Sequence, residues 1–369
     1  MRGRILRLLM TNPLGYVSGQ EMARLLGVSR AAIHKHVEKL KNYGCDIDCK
    51  RNAGYRLISM PDILLPEIVE TYRFTDGEAP YTIIHHHVVD STNQTAKLLC
   101  VQGAEEGTVV VAEEQTAGRG RMNRGWDSQP GKGIYTSIIL RPTMHPTQAY
   151  GLSIVAGIAV ARAIAAQGLE DVGLKWPNDV QLNGKKLCGI LTEMSATMDA
   201  MEYCVVGIGV NVNQDVFPEE LASIATSVHM ELGRQVPRGQ VLAAILAEFF
   251  DLYQAVYVTR DLSFSTLIKE YNDLSVLLDT TVTVTIGNVK LEGTCVGFDT
   301  DGALLLEEAD GNIRSILAGD VSLRGAATYG QEVEEMPIEE ATAPEELDEP
   351  AEEDMEPLDE DLPEREEEL

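Results

Sequence analysis

Residues 175–193, KWPNDVQLNGKKLCGILTE, read as a strand end, a turn and a second strand that carries Lys186 and Gly189. Working outward, strand-like apolar runs recur at 81–89, 108–112, 133–140, 172–176, 189–194 and 203–210. An alanine-rich helix is predicted over 150–167, with later helices near 238–260 and 262–274. Strands and helices mixed without strict alternation predict an α+β domain over 81–275 and argue against a doubly wound nucleotide fold. Asp90-Ser-Thr-Asn93 ends the first of these strands and caps the helix that follows.

The flanks differ in texture. After Leu278 come short alternating runs at 281–286, 289–296, 304–308 and 313–317, with turns at Gly287-Asn288, Asp301-Gly302 and Asp310-Gly311, the pattern of a small β-barrel over 276–326. Before the central domain, a short helix near 6–10 precedes two helical patterns separated by Leu26-Gly27-Val28-Ser29. Met22, Leu25 and Leu26 make the inner stripe of the first and Ile33, Val37 and Leu40 that of the second, while Ser29 caps the second. Two strands around Asn52-Ala53-Gly54 then form a wing. This is a winged helix-turn-helix over 1–62, and Ser29, Arg30, His34, Lys35, Lys39 and Lys41 are its candidate DNA contacts. Pro61 and Pro66 bracket an expected linker, 63–80.

The formal charge of −28 conceals an asymmetry. Residues 1–60 hold eleven Lys/Arg against four Asp/Glu, whereas residues 331–369 hold twenty Asp/Glu against Arg365. The segment 327–369 is therefore expected to be a disordered acidic tail. A solvated extension is its plain reading; the sharper one is competition with DNA phosphates for the basic head. Six scattered cysteines lack any C-x-x-C pair, and no uninterrupted apolar stretch of about 18 residues occurs, so a soluble cytoplasmic protein with reduced thiols is expected.

Gly118-Arg-Gly-Arg-Met-Asn-Arg-Gly-Trp126 is too polar to be core. Its glycines admit a ligand close to the backbone, and Arg119, Arg121 and Arg124 offer planar donors for carboxylate or phosphate. Alone it fits an RNA-binding or merely solvated basic loop as well. Residues 125–133 do not fit a P-loop, and 207–212 lack the third glycine of a dinucleotide fingerprint. Ser91 or Thr92 fits a helix cap, Asn211 a turn, and Trp126 and Trp176 packing. His85, His86 and His87 would alternate faces of a strand without an acidic partner set, so no metal site is expected.

The loop G-R-G-R-x-x-R-x-W at 118–126, K-W-P-N-D at 175–179 and K-L-x-G-I-L-x-E at 186–193 stand in the order and spacing that resemble the biotin protein ligases. D-S-T-N at 90–93, E-Q-x-x-G at 114–118 and G-I-G-V-N at 207–211 extend the resemblance to roughly 80–325. The winged helix, with Ser29-Arg-Ala-Ala-Ile-His-Lys-His36, resembles the bifunctional subgroup that represses biotin genes. The resemblance implies a multidomain α+β protein with a class II synthetase-like ligase domain and an SH3-like β-barrel. It implies activation of biotin by Mg-ATP as biotinyl-5'-AMP, transfer to a lysine of the biotin carboxyl carrier domain of acetyl-CoA carboxylase, operator binding, and a homodimer when the adenylate is bound. It assigns Lys186, Arg119 and Arg121 to catalysis; Ser91, Thr92, Asn93, Gln115, Gly118, Gly120 and Gly189, with those three, to biotin; and Lys175, Asn178, Asp179 and Asn211, with Arg121 and Lys186, to ATP and adenylate. A lipoate-type ligase, or a ligase whose head no longer represses, are the alternatives.

Overall fold

The computed structural model describes residues 1–73, 78–197 and 200–323; the expected acidic tail lies outside the described residues. The head consists of α1 (Arg2–Met10), α2 (Gly19–Leu26), α3 (Arg30–Asn42) and a hairpin of β1 (Asp46–Lys50) and β2 (Gly54–Ser59). Local chemistry sets these boundaries. Ser18 Oγ accepts from Gln20 N and Ser29 Oγ from Ala32 N, and Gly27 ends α2 at a φ of 69° that a side chain would oppose. Ile5, Leu6, Leu9, Met22, Ile33, Val37, Leu40 and Ile47 form its core. Leu25, expected inside, is 48% exposed, because the buried stripe of this two-turn helix runs through Gly19, Met22, Ala23 and Leu26 and leaves Leu25 beyond its edge.

The segment expected as a linker contains a packed helix, α4 (Pro66–Thr71). Ile68 joins the head core, whereas Leu64 and Val69 join the central one. Arg2 Nε also donates to Glu67 at 2.7 Å, so the segment ties α1 to the central domain.

The central domain is a seven-stranded mixed sheet in the order β3-β4-β5-β9-β8-β7-β6. The strands are β3 (Thr82–Val89), β4 (Thr108–Gln115), β5 (Ile134–Leu140), β6 (Val172–Lys175), β7 (Asp179–Leu182), β8 (Lys185–Ala196) and β9 (Met201–Val210). Among the described strands of this sheet, β3 and β4 pair in parallel and the others antiparallel. Alternation sorts the two faces. Val110, Ile139 and Val205 pack under α5 (Thr92–Val101), while Val109, Val111, Ile138 and Val206 face α6 (Tyr150–Ala165) and its partner α9 (Arg238–Tyr253). The stretches Pro146–Ala165 and Arg238–Val258 are long and apolar enough to cross a membrane by composition, yet most of each is buried within the protein. Short helices α7 (Glu219–Ala222) and α8 (Val228–Leu232) precede α9, and α10 (Phe264–Leu274) leads to the C-terminal domain. That domain is an antiparallel five-stranded sheet, β13-β12-β11-β10-β14, made of β10 (Thr281–Ile286), β11 (Val289–Phe298), β12 (Leu304–Glu307), β13 (Ile313–Ile316) and β14 (Asp320–Leu323). Trp176 docks on it, its Nε1 donating to Gly302 O at 3.0 Å.

One buried ionic cluster joins head and sheet. Arg238 is fully buried and pairs with Asp62 at 3.1 Å and Glu113 at 2.7 Å; it also donates to Gly133 O. His85 lies 2.9 Å from Glu113, so the histidine triplet has an acidic partner that the sequence reading did not give it. Burial raises the Glu113 carboxyl, but the hydrogen bond from His85 and the charge of Arg238 outweigh it and bring the pKa to about 2.

Candidate functional site

The mouth of α5 carries the first group of site residues. Ser91 is buried at the N-cap position, yet its hydroxyl makes no capping hydrogen bond, which corrects the reading of this motif as a self-cap. Gln115 takes that role: its Oε1 accepts from Thr92 N at 2.9 Å while its Nε2 donates to Ser128 Oγ at 2.9 Å. The hydroxyl of Ser137 lies 2.8 Å from that of Thr92 and donates to Asn93 Oδ1 at 2.6 Å. Asn93 Nδ2 in turn donates to Glu193 at 2.8 Å. A Cβ at Gly207 would stand 2.2 Å from Asn93 Oδ1, so the glycine gives this amide its place. Ser128 and Ser137 were not singled out from sequence, and Glu193 stood in the K-L-x-G-I-L-x-E motif without a role. Ser137 had a signal, a lone serine inside the apolar run of β5.

The Gly/Arg loop leaves Gln115 and folds into a small hairpin. Trp126 N donates to Gly118 O, Gly120 N donates to Arg124 O at 2.7 Å, and Met122 and Asn123 turn the tip with φ of 53° and 57°. Its far end delivers Trp126 onto the paired strands β8 and β9, whose partners Gly189 and Gly209 face each other. A Cβ at either would approach the indole to 2.9 or 2.7 Å, so the ring lies on a floor that two glycines make. Lys186 Nζ stands 5.5 Å from the Trp126 ring centre and 2.8 Å from Asp179 Oδ1.

Around this assembly the polar groups alternate in sign. Arg121 reaches Asn178 Oδ1 at 3.4 Å, Gly319 O at 3.2 Å and Asp320 at 3.5 Å, and Arg124 pairs with the same carboxylate. Lys175 is pushed down by burial; Asp179 and Asp320 act against this, and Lys186 and Arg124 add to it. Arg121, Arg124, Lys175 and Lys186 thus crowd one region around Asp179 and Asp320, an arrangement suited to an incoming polyanion. Asn178 also holds the turn to β8 through Ile190 O, and Asn211 N donates to Leu187 O beside Lys186. Arg119 is the exception: it is exposed and makes no side-chain hydrogen bond or ion pair among the described residues.

On the head, Arg30, His34, Lys35 and Lys39 are exposed along α3, and Ser29 is spent on the cap. Lys41 is half-buried and pairs with Glu38 at 3.7 Å; a hydrogen bond with Cys49 on the wing is the largest cause raising its pKa.

Residues 86–211 match the Biotin/lipoate A/B protein ligase family, residues 2–56 an HTH domain and residues 278–324 the Biotin protein ligase C terminal domain. A bifunctional ligase/repressor BirA of Bacillus subtilis (strain 168) is 39% identical over 310 residues, which cover 84% of this chain and 94% of that protein. This chain belongs to the bifunctional biotin protein ligase/repressor family. The family's Escherichia coli (strain K12) member, also a bifunctional ligase/repressor BirA, is 33% identical with the same 84% of the chain covered. Among solved structures, the biotin protein ligase from Aquifex aeolicus in complex with biotin and ATP superposes with a TM-score of 0.57 at 32% identity, over 66% of this chain and 98% of that one. The family's ligase match runs from β3 to the end of β9, and so includes the Gly/Arg loop, Lys186 and the glycine floor.

Proposed function

We propose that the chain activates biotin with ATP as biotinyl-5'-AMP, transfers it to a lysine of a biotin carboxyl carrier domain of acetyl-CoA carboxylase, and represses biotin synthesis and transport genes through its head. The observation that carries the ligase half is the return of the Gly/Arg loop onto Lys186 across the Gly189–Gly209 floor. Joining a carboxylate to the α-phosphorus of ATP brings two anions together, and the ammonium of Lys186 offsets charge as it builds on the five-coordinate phosphorus. Arg121 supplies a second cation, and Arg119 lies free on the loop to meet substrate. The hydroxyl and amide network of Ser91, Thr92, Asn93 and Gln115 offers neutral partners to the ureido group and carboxylate. Gly118 and Gly120 let the loop backbone approach. Lys175, Asn178, Asp179 and Asn211 flank the nucleotide end. Mg2+ would accompany ATP here: Asp179, which pairs with Lys186 at 2.8 Å, is the carboxylate that would help to hold it, and the ion would neutralise phosphate charge. With the loop closed, water is kept from the mixed anhydride until an acceptor lysine amine attacks its acyl carbon, forming the amide, losing a proton and releasing AMP.

For the head, the exposed Arg30, His34, Lys35 and Lys39 support a recognition helix in a major groove, with the wing beside it. We further assign the head to 1–62, its connection to 63–80, the synthetase-like ligase domain to 81–275 and an SH3-like barrel to 276–326. Adenylate-dependent homodimerisation and a cytoplasmic site complete the reading; all six cysteines are free. Incubation with biotin, Mg-ATP and a carrier domain should label one lysine and release pyrophosphate. Full activity of Lys186→Ala, or a preference for lipoate in competition, would overturn the ligase assignment. A gel shift on biotin-gene operators with and without biotin and ATP tests the repressor half.

A further inference from the structure

Asn93 and Lys97 stand four residues apart on α5, so both side chains meet Glu193 on β8. Lys97 Nζ donates to Glu193 Oε1 at 2.8 Å and Asn93 Nδ2 to Oε2 at 2.8 Å, and the same Nδ2 donates to Leu191 O at 3.2 Å. A carboxylate and a carbonyl only accept, so these two contacts take both amide hydrogens and fix which end of the Asn93 amide is oxygen. Turning the amide over would set Oδ1 against two acceptors. On the oxygen side, the fully buried Ser137 Oγ lies 2.6 Å from Asn93 Oδ1 and 2.8 Å from Thr92 Oγ1. A serine hydroxyl has one proton. Oδ1 has none to give, so Ser137 donates to it, and the proton of Thr92 fills the 2.8 Å contact. The 3.2 Å separation between Thr92 Oγ1 and Gln115 Oε1 is then the one without a proton, and Oε1 is already served by Thr92 N at 2.9 Å. Both hydroxyl protons therefore point along the chain toward Glu193, and Thr92 Oγ1 keeps lone pairs to offer but no proton.

We propose that Glu193 is a positioning residue that determines specificity: its carboxylate sets the direction of the hydrogen-bond chain through Asn93, Ser137 and Thr92, and so makes the Thr92 hydroxyl an acceptor for a ligand N–H. A ring N–H satisfies that oxygen, whereas a ring oxygen in the same place meets it lone pair to lone pair. This rests on the reading of the site as one for biotin, whose ureido ring carries two N–H groups. The direction can be reversed with almost no change of shape. In Glu193→Gln, the Lys97 ammonium, which only donates, holds the oxygen of the new amide and turns its NH2 toward Asn93. Asn93 then turns over and donates to Ser137, Ser137 donates to Thr92, and the Thr92 proton is left for Gln115 or the ligand.

Titration of the full chain with biotin, and by competition with the analogue in which oxygens replace both ring N–H groups, gives a ratio of affinities. Glu193→Gln should lower the preference for biotin about tenfold, the worth of one hydrogen bond exchanged for an unmatched pair. Lys97→Met should leave the preference within about twofold of the wild type, since the carboxylate remains and the lost ion pair is partly exposed. Lys97→Met combined with Glu193→Gln should restore the wild-type preference, because without the ammonium the new amide is free to turn its oxygen to Asn93. Ser137→Ala takes away the acceptor of the Thr92 proton; it should lower the preference as Glu193→Gln does, and serves if that variant does not fold. A residue that only holds the fold would weaken both ligands alike in Glu193→Gln and leave the double variant no better than the single. That outcome, or an unchanged preference in Ser137→Ala where it stands in, would overturn the proposal while biotin binding by the wild type stands. A wild-type protein that binds no biotin would sink the reading of the site and the proposal with it.

Discussion

Two glycines and a tryptophan define the site at the residue scale. Gly189 and Gly209 stand opposite each other on β8 and β9, and the Trp126 ring occupies the space that their side chains would take. Gly209→Ala should therefore displace the indole and weaken biotin binding by about five- to 150-fold, as expected where an added methyl overpacks a tight contact by about 1–3 kcal/mol. Because the clash is with one partner, Trp126→Ala should absorb most of that loss, and calorimetric titration of the two single variants and the double would show a non-additive cycle. Additive losses would mean that the floor meets something else. Lys186→Ala should slow pyrophosphate release about 10²–10³-fold, the range for removing a preorganised charge from a transition state. Its melting temperature should change little, since the side chain is 36% exposed. Glu113 makes a different prediction. Its folded pKa of about 2 lies below the ordinary value of 4.5, so its contribution to stability is fully present above pH 4.5 and is lost as pH falls toward 2. Glu113→Gln should unfold more easily at pH 7, by about 3 kcal/mol for a buried pair broken on one side, and denaturant titrations at pH 7 and pH 3 should show the gap from wild type narrowing in acid.

At the scale of elements, what could be read in the sequence follows periodicity and run length. The helix-turn-helix, the wing and the long core strands were visible because each repeats its pattern over several residues or carries a cap or turn signal. Strands β7 and β14 have four residues each and were missed, whereas the equally short β12 and β13 were marked by the Asp-Gly turns that precede them; β7 is hidden in the run that the motif reading treated as a turn. Helix α4 has six residues and sat behind two prolines that signal a break, although Pro66 is in fact its first residue. That Lys175, Asn178, Asp179 and Lys186 come together was legible because two neighbouring motifs, 175–179 and 186–193, carry them. Asp320 and Arg238 were not, because a single charged residue far along the chain has no local signature for the partner it meets. The recognition element offers its own test. Lys35→Ala and Lys39→Ala, both exposed on α3, should each weaken operator binding across sequences and lower the salt slope by about one, the mark of a lost phosphate contact. A gel-shift series in which neither variant changes the slope would place the DNA elsewhere on the head.

Over the whole molecule, charge is distributed against itself. A head with eleven Lys/Arg and four Asp/Glu in its first 60 residues belongs to a chain of net charge −28, of which residues 331–369 supply twenty acidic side chains. DNA binding gains its affinity by exchanging condensed counterions for protein cations, so any other dense array of carboxylates on the same chain lowers that gain. The opposing effect is long-range and depends on the screening length, about 10 Å at 0.1 M salt and about 3 Å at 1 M. Deletion of 331–369 should therefore tighten operator binding about five- to tenfold near 0.05 M salt and leave it unchanged near 0.5 M, where screening confines charge effects to contact. Biotin activation, which we assign to the region 86–211 that matches the ligase family and which does not use the head's cations, should proceed at the same rate with and without the segment. Equal operator affinity for the two proteins at low salt would discard the competition. A gain that persisted at high salt would point to a steric effect of the segment in place of its charge.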